Sequence, residues 1–262
     1  PSTGTQQVRS SWGIYAAATV FAGVVGGFIS IFFLADSLQA LGIPDPGRLT
    51  TIGLPAFRGA AWMLMALAVG SYLTSAFLIS PGVPEGDNER LIDAPLTVDG
   101  HLAARTGMVA SFGVAIVSLL EIPLVMSDVS GTPFVQVLSP DMLGLALSQV
   151  ATAQAWLATA VIAALVGVLT LFSQQWSLQP VLLFLSITMV VPLGFDGHSA
   201  SGGDHDYGTN SYLWHLLFVV LWVGGLLALI AHGRRLGPEM GQAVRRYSTL
   251  ALVAALAMAA SG

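Results

Sequence analysis

An all-α, polytopic transmembrane helical bundle of about seven spans is the fold this sequence predicts, and three observations predict it. Hydrophobic residues make up 55% of the 262 and charged residues only 9%, with a mean hydropathy of +0.78. That is more apolar surface than one soluble core can hide. Apolar runs near ~20 residues, the length that crosses ~30 Å of hydrocarbon, recur along the chain. In lipid each run must satisfy its own backbone hydrogen bonds, so each is read as a helix.

Residues 12–35 form the first expected span, with Gly23, Gly26 and Gly27 offering a small-residue face for close helix packing. The second, residues 59–79, follows a loop punctuated by Pro44, Pro46 and Pro55. A polar stretch rich in proline and acids leads to the third, residues 106–126, which contains Glu121 and Pro123. Residues 142–172 are long for one span, so the fourth is tilted or its first turns lie outside the hydrocarbon. The fifth, residues 178–195, is short and bounded by Pro180 and Pro192; the sixth is residues 212–231. The seventh, residues 248–262, reaches only ~22 Å at 1.5 Å per residue. It is therefore read as truncated, with the protein expected to continue beyond Gly262, and the start at Pro1 without Met likewise reads as trimmed. Trp12, Trp176 and Trp214 fall near span ends, as interfacial belt residues do.

All nine cationic residues are arginine. Four of them, Arg234, Arg235, Arg245 and Arg246, lie between the sixth and seventh spans, which places that loop in the cytoplasm by the positive-inside rule. Alternation then puts the N-terminus with Arg9 and the loop with Arg90 and Arg105 inside, and Arg48 and Arg58 outside. Residues 193–211 land on the extracytoplasmic face of the cell's inner (plasma) membrane. A formal charge of −5 without a basic stripe excludes nucleic acid as a partner. Absence of Cys removes thiolate ligands, disulfides and cysteine nucleophiles together. No phosphate loop, nucleophile elbow or HExxH zinc motif occurs, so an enzyme is not expected.

The chemistry concentrates in residues 193–211, LGFDGHSASGGDHDYGTNS. His198 and His205 sit there with Asp196, Asp204 and Asp206 and no Lys or Arg, and His215 follows just inside the sixth span. Imidazole and carboxylate without balancing cations point to a cation site at a membrane surface; a solvated Gly/Ser-rich turn is the bland reading of the same residues. The topology brings further polar or soft residues to that level: Glu121, Met126 and Asp128, then Gln149, Gln154 and Met189, with no arginine among them. The expected metal set is His198, His205, His215, Met189, Asp196 and Glu121. Imidazole with thioether favours copper, above all Cu(I), while imidazole with carboxylate also suits Zn(II) or Cu(II). Because neutral imidazole is the ligand, occupancy should fall as pH drops through the ordinary histidine range. Glu121 is the one acid within the seven stretches, and reads as functional or as a bridge between helices. Pro123 beside it is expected to kink the helix and open a polar pocket. His101 and His232 fall at the opposite end, away from this set.

The segment WHLLFVVLWVGGLLALIAHGRR, residues 214–235, followed by RRYSTLAL, residues 245–252, resembles the copper resistance protein D (CopD) family. Members show a helix of the form His-Leu…Trp-x-Gly-Gly, a basic loop and an Arg-Phe-Ser entry to the next helix. His215, Trp222, Gly224 and Gly225 match the first part; Arg246-Tyr247-Ser248 matches the second with Tyr for Phe. Gly197-His198-Ser199-Ala200 resembles the Gly-His-(Ala/Ser)-Ala segment that often precedes it. The specific resemblance covers mainly residues 193–262, and the first five spans agree in hydropathy alone. In high-GC Gram-positive bacteria such a domain is often fused to a second half similar to the cytochrome c oxidase assembly factor CtaG. The resemblance thus implies copper handling at the outer face, by uptake or by provision to a haem-copper oxidase. The implied partners are the lipid bilayer, the copper ion, and a haem-copper oxidase or a periplasmic copper carrier. Of the site residues, His198 and His215 carry over from matching positions. A structural or assembly subunit without a metal site is the alternative, and a cytochrome b, which needs two histidines facing across the bundle, is a third reading.

Overall fold

Among the described residues seven helices are long and apolar enough to cross a membrane, and no strand occurs. This is a multi-pass membrane protein. The structure, a computed structural model, describes residues 12–33, 45–82, 94–173, 175–195 and 205–261, with backbone alone at residues 205–210, 234 and 261. Its helices are α1 (Trp12–Phe33), α2 (Arg48–Leu73), α3 (Val98–Ser130), the short α4 (Phe134–Val137) and α5 (Pro140–Gln149), α6 (Ala151–Phe172), α7 (Gln179–Thr188), α8 (Val191–Phe195), α9 (His205–Leu236) and α10 (Met240–Ser261).

The bundle is organised around α2, which packs against α1, α3, α7 and α9. In its apolar window 78% of residues are buried, against 17% for α1. The remaining surface of α1, with Phe21 and Phe28 exposed, is left for lipid. Contact with α2 runs along the expected glycine face: a β-carbon on Gly26 would strike the Pro55 carbonyl, and one on Gly59 would lie 2.5 Å from the Ala22 carbonyl. Small residues are what let these two backbones meet. The same device recurs where α2 crosses α9, with Gly70 and Gly224 backbone to backbone.

Several boundaries differ from the hydropathy reading. Pro55, assigned above to a loop, lies inside α2. A proline has no N–H for the carbonyl four residues back, and here Ser30 of α1 supplies the missing donor, its Oγ 2.5 Å from the Thr51 carbonyl. α3 extends well beyond 106–126: Thr97 caps its start, accepting from the Gly100 N–H at 3.2 Å, and Gly131 ends it in the left-handed conformation (φ 63). It stays helical through Pro123. The long fourth stretch is two helices, α5 and α6, broken at an extended Val150, so its first turns form a separate element. The last helix starts at Met240, not Ser248, and its 22 residues reach ~33 Å. Arg245 and Arg246 sit in its first turns, where long cationic side chains can reach the interface. Arg246 Nη1 donates to the Phe77 carbonyl at 3.0 Å, tying α10 to the π-helical turn Thr74–Leu78 that ends the second span.

Candidate functional site

Register between helices converts sequence position into depth. α2, α6 and α9, the second, fourth and sixth spans, run in the same direction. Gly224 abuts Ala66 and Gly70, so His215, ~14 Å earlier on α9, lies at the depth of Gly59. Tyr72 bonds Thr170 at 2.7 Å, which sets Thr159 of α6 near the depth of Ala61; Thr159 Oγ1 donates to the Met189 carbonyl at 3.0 Å. Glu121 Oε2 lies 3.4 Å from Arg58 Nε. Glu121, Met189 and His215 therefore share one depth, ~15 Å below the first residue of α2.

Shared depth is not shared contact. Glu121 meets α2 at Arg58, whereas α9 meets it further along, at Ala66, Gly70 and Leu73. Met189 is fully buried in the core. No group of three or more His, Cys, Asp or Glu that could hold a metal ion occurs among the described residues. Asp196, His198 and Asp204 lie outside the described residues, as does the side chain of His205. The backbone puts His205 at the start of α9, so His205 and Asp206 belong to a helix and not to the connection, with ~15 Å of helix between His205 and His215.

Three buried side-chain polar atoms among the described residues have no hydrogen-bond partner: Ser118 Oγ, Glu121 Oε1 and His215 Nδ1. A buried donor or acceptor left unpaired costs about 1–3 kcal/mol, so such atoms are rare and call for an explanation. Two of the three belong to residues chosen from the sequence. Glu121 is not in an arginine-free setting, however: Arg58 reaches it from α2 with a side chain 42% exposed. The remaining polar residues expected at this level do other things. Met126 is in the core, Asp128 and Gln149 are exposed, and the Gln154 amide donates to the Leu147 carbonyl at 3.1 Å across the α5–α6 break.

His232, set aside by sequence reasoning, is buried in a polar cluster drawn from four helices. Its Nε2 is 3.4 Å from Tyr15 Oη and 3.3 Å from Thr106 Oγ1, and Tyr15 Oη is 2.7 Å from Ser71 Oγ. An Arg235–Asp99 pair at 3.3 Å closes the same end, and a crevice of about 370 Å³ reaches Thr106 past Trp12, His101 and Arg105. The sequence offered little signal: His232 falls one residue beyond the sixth stretch, and Tyr15, Ser71 and Thr106 are hydroxyl side chains among others in theirs. His215 and His232 lie ~25 Å apart on one helix, so they do not face each other across the bundle as two haem ligands would.

The motif residues quoted from the sequence touch each other. A β-carbon on Gly225 would lie 2.6 Å from the Tyr247 ring, and the Tyr247 hydroxyl donates to the Trp222 carbonyl at 2.8 Å. Gly225 of the Gly-Gly pair and Tyr247 of the Arg-Tyr-Ser entry are thus two sides of one α9–α10 contact, while Gly224 faces α2. The family described as copper resistance protein D-like, N-terminal domain, matches residues 49–206, more than half of the chain. The chain belongs to this copper resistance protein D-like family. The matched range runs from α2 to the start of α9, and so includes Gly197 to Ala200 but stops before the Trp222–Tyr247 contact. A curated relative, "Uncharacterized protein ML1998" of Mycobacterium leprae (strain TN), is 24% identical over 208 residues, covering 78% of this chain and 30% of its own length. This copper resistance protein D-like chain thus spans about a third of that relative. No solved structure matches it.

Proposed function

We propose that this copper resistance protein D-like chain is a non-enzymatic copper-handling protein of the plasma membrane, with copper as its cargo. Copper is received at the extracytoplasmic face by His198 and His205 with Asp196, and passed inward to His215, with Met189 as a soft donor at the same depth. Glu121 lies at the same level, paired with Arg58 of α2. Uptake across the membrane, or provision to a haem-copper oxidase in exchange with a periplasmic carrier, are the two outcomes this arrangement serves. The observation that carries the reading is the buried, unpartnered His215 Nδ1 in a chain of a copper resistance family. Imidazole and thioether are donors suited to Cu(I), and ~15 Å of α9 between His205 and His215 makes two successive stations a better description than one six-ligand site.

Quantifying bound copper in the purified chain, reconstituted in lipid, tests this. His198→Ala and His215→Ala should each weaken binding about tenfold or more, the scale on which even outer partners of metal ligands act. Wild-type affinity and stoichiometry in both would leave the chain as a structural or assembly subunit without its own metal site.

A further inference from the structure

Three helix ends meet around the crevice of about 370 Å³. Trp12 begins α1, His101 and Arg105 lie in the first turns of α3, and Ser173 caps the end of α6. The 33 residues of α3 measure ~50 Å against ~30 Å of hydrocarbon, so its first turns stand at the headgroup level. Trp12, 43% exposed at the rim, marks the same level. The polar groups of the wall are one-sided. No Asp or Glu lines it, and Asp99 in the first turn of α3 is held by Arg235 at 3.3 Å. Arg105 and the His101 ring have neither a hydrogen bond nor an ion pair among the described residues. Thr106 and Thr170 direct their hydroxyls to carbonyls of their own helices at 2.7 Å. The buried Ser173 Oγ accepts from the Gln179 amide at 2.8 Å, which leaves its own O–H to donate. Donors with a permanent positive charge and no competing acceptor suit an oxyanion, and a guanidinium fork matches phosphate oxygens. Beside them Leu102, Met108, Val109 and Leu171 make an apolar wall, the last two exposed, which suits a hydrocarbon chain attached to that phosphate.

We propose that this crevice is a headgroup site for an anionic phospholipid. Arg105 and the Ser173 hydroxyl hold the phosphate oxygens, His101 adds a ring N–H, and the acyl chains run past Val109 and Leu171 along α3 and α6. A volume of about 370 Å³ is at the lower end of the ~300–1,000 Å³ of ligand pockets, which suits a phosphoglycerol group with its chains left in the bilayer. Arg235, joined to α3 through Asp99, belongs to the arginine-rich turn after α9, so the leaflet concerned is the one the positive-inside rule makes cytoplasmic, where anionic headgroups attract basic pockets between helices. The site stands independently of the copper reading.

Native mass spectrometry of the full chain, released from micelles loaded with equal phosphatidylglycerol and phosphatidylcholine, tests it. The wild-type chain should retain phosphatidylglycerol over phosphatidylcholine by about fivefold, the scale of one arginine at an anionic surface. Arg105→Gln, at an exposed position, should abolish that preference and Ser173→Ala reduce it. Arg245→Gln removes an exposed cation of the same end outside the crevice and should leave it unchanged. Equal retention of the two lipids by the wild-type chain, a measurement that needs no variant, overturns the proposal. Equal losses in Arg105→Gln and Arg245→Gln also overturn it, since diffuse charge attraction would then account for the preference. Retention of the lipid against millimolar glycerol phosphate supports the assignment; displacement gives the crevice to a soluble phosphate ester and overturns it.

Discussion

His215 and His232 sit on the same helix in opposite circumstances, and single substitutions should separate them. His232 Nε2 has hydroxyl neighbours from Tyr15 and Thr106, whereas His215 Nδ1 has none. His232→Ala leaves those hydroxyls short of a buried partner and should lower stability by about 2–3 kcal/mol. Tyr15→Phe removes one hydroxyl from the same cluster and should cost about 1–2 kcal/mol. His215→Ala relieves an unpaired atom and should cost less than either. Copper binding is expected to rank the other way, weakened by His215→Ala and little changed by Tyr15→Phe. Thermal unfolding and copper titration on the same three variants check both orders; equal melting shifts for the two histidine variants would contradict the contrast drawn here.

At the scale of elements, helices meet through backbone. Gly70→Ala would drive a methyl group into the Gly224 carbonyl, and overpacking of that kind costs about 3 kcal/mol; a chain with wild-type melting would show that the α2–α9 crossing can open. The Ser30–Thr51 bond makes a sharper case, because its purpose depends on Pro55. Ser30→Ala should cost about 1–2 kcal/mol in the wild-type chain, where the Thr51 carbonyl loses the donor that replaces the proline N–H. In a Pro55→Ala background the helix can supply its own donor, and the same substitution should cost much less. The double-mutant cycle measures that coupling; additive losses would mean the Ser30 hydroxyl acts independently of the proline.

For the whole molecule, the decisive quantity is sidedness. Arg234, Arg235, Arg245 and Arg246 gather at the α9–α10 turn, and retention of that turn in the cytoplasm would put residues 196–204 outside, where copper arrives. A single cysteine in place of Ser201, in a chain with no other, is expected to react with a membrane-impermeant thiol reagent in intact cells. Labelling only in inverted vesicles would reverse the orientation and move the proposed entry site to the wrong face.

By itself the sequence determined that the chain is a bundle of seven membrane helices, since each apolar run must close its own hydrogen bonds in lipid whatever its neighbours do. It also brought out Glu121, Met189 and His215, because alternation of spans is a one-dimensional count and isolated polar residues stand out against lipid-like surroundings. Partners were not legible. Arg58 lies 63 residues from Glu121, Tyr15 lies 217 from His232, and Ser30 completes a bond that Pro55 breaks from another helix. Which residues of two helices meet depends on their rotation and register. In a soluble protein the apolar stripe reveals the rotation, but a membrane helix is apolar toward lipid and toward its neighbours alike. Here the rotation is set by the close approach at Gly26, Gly59, Gly70 and Gly224, and only the tertiary structure, where those backbones touch, decided which buried polar atoms found partners and which did not.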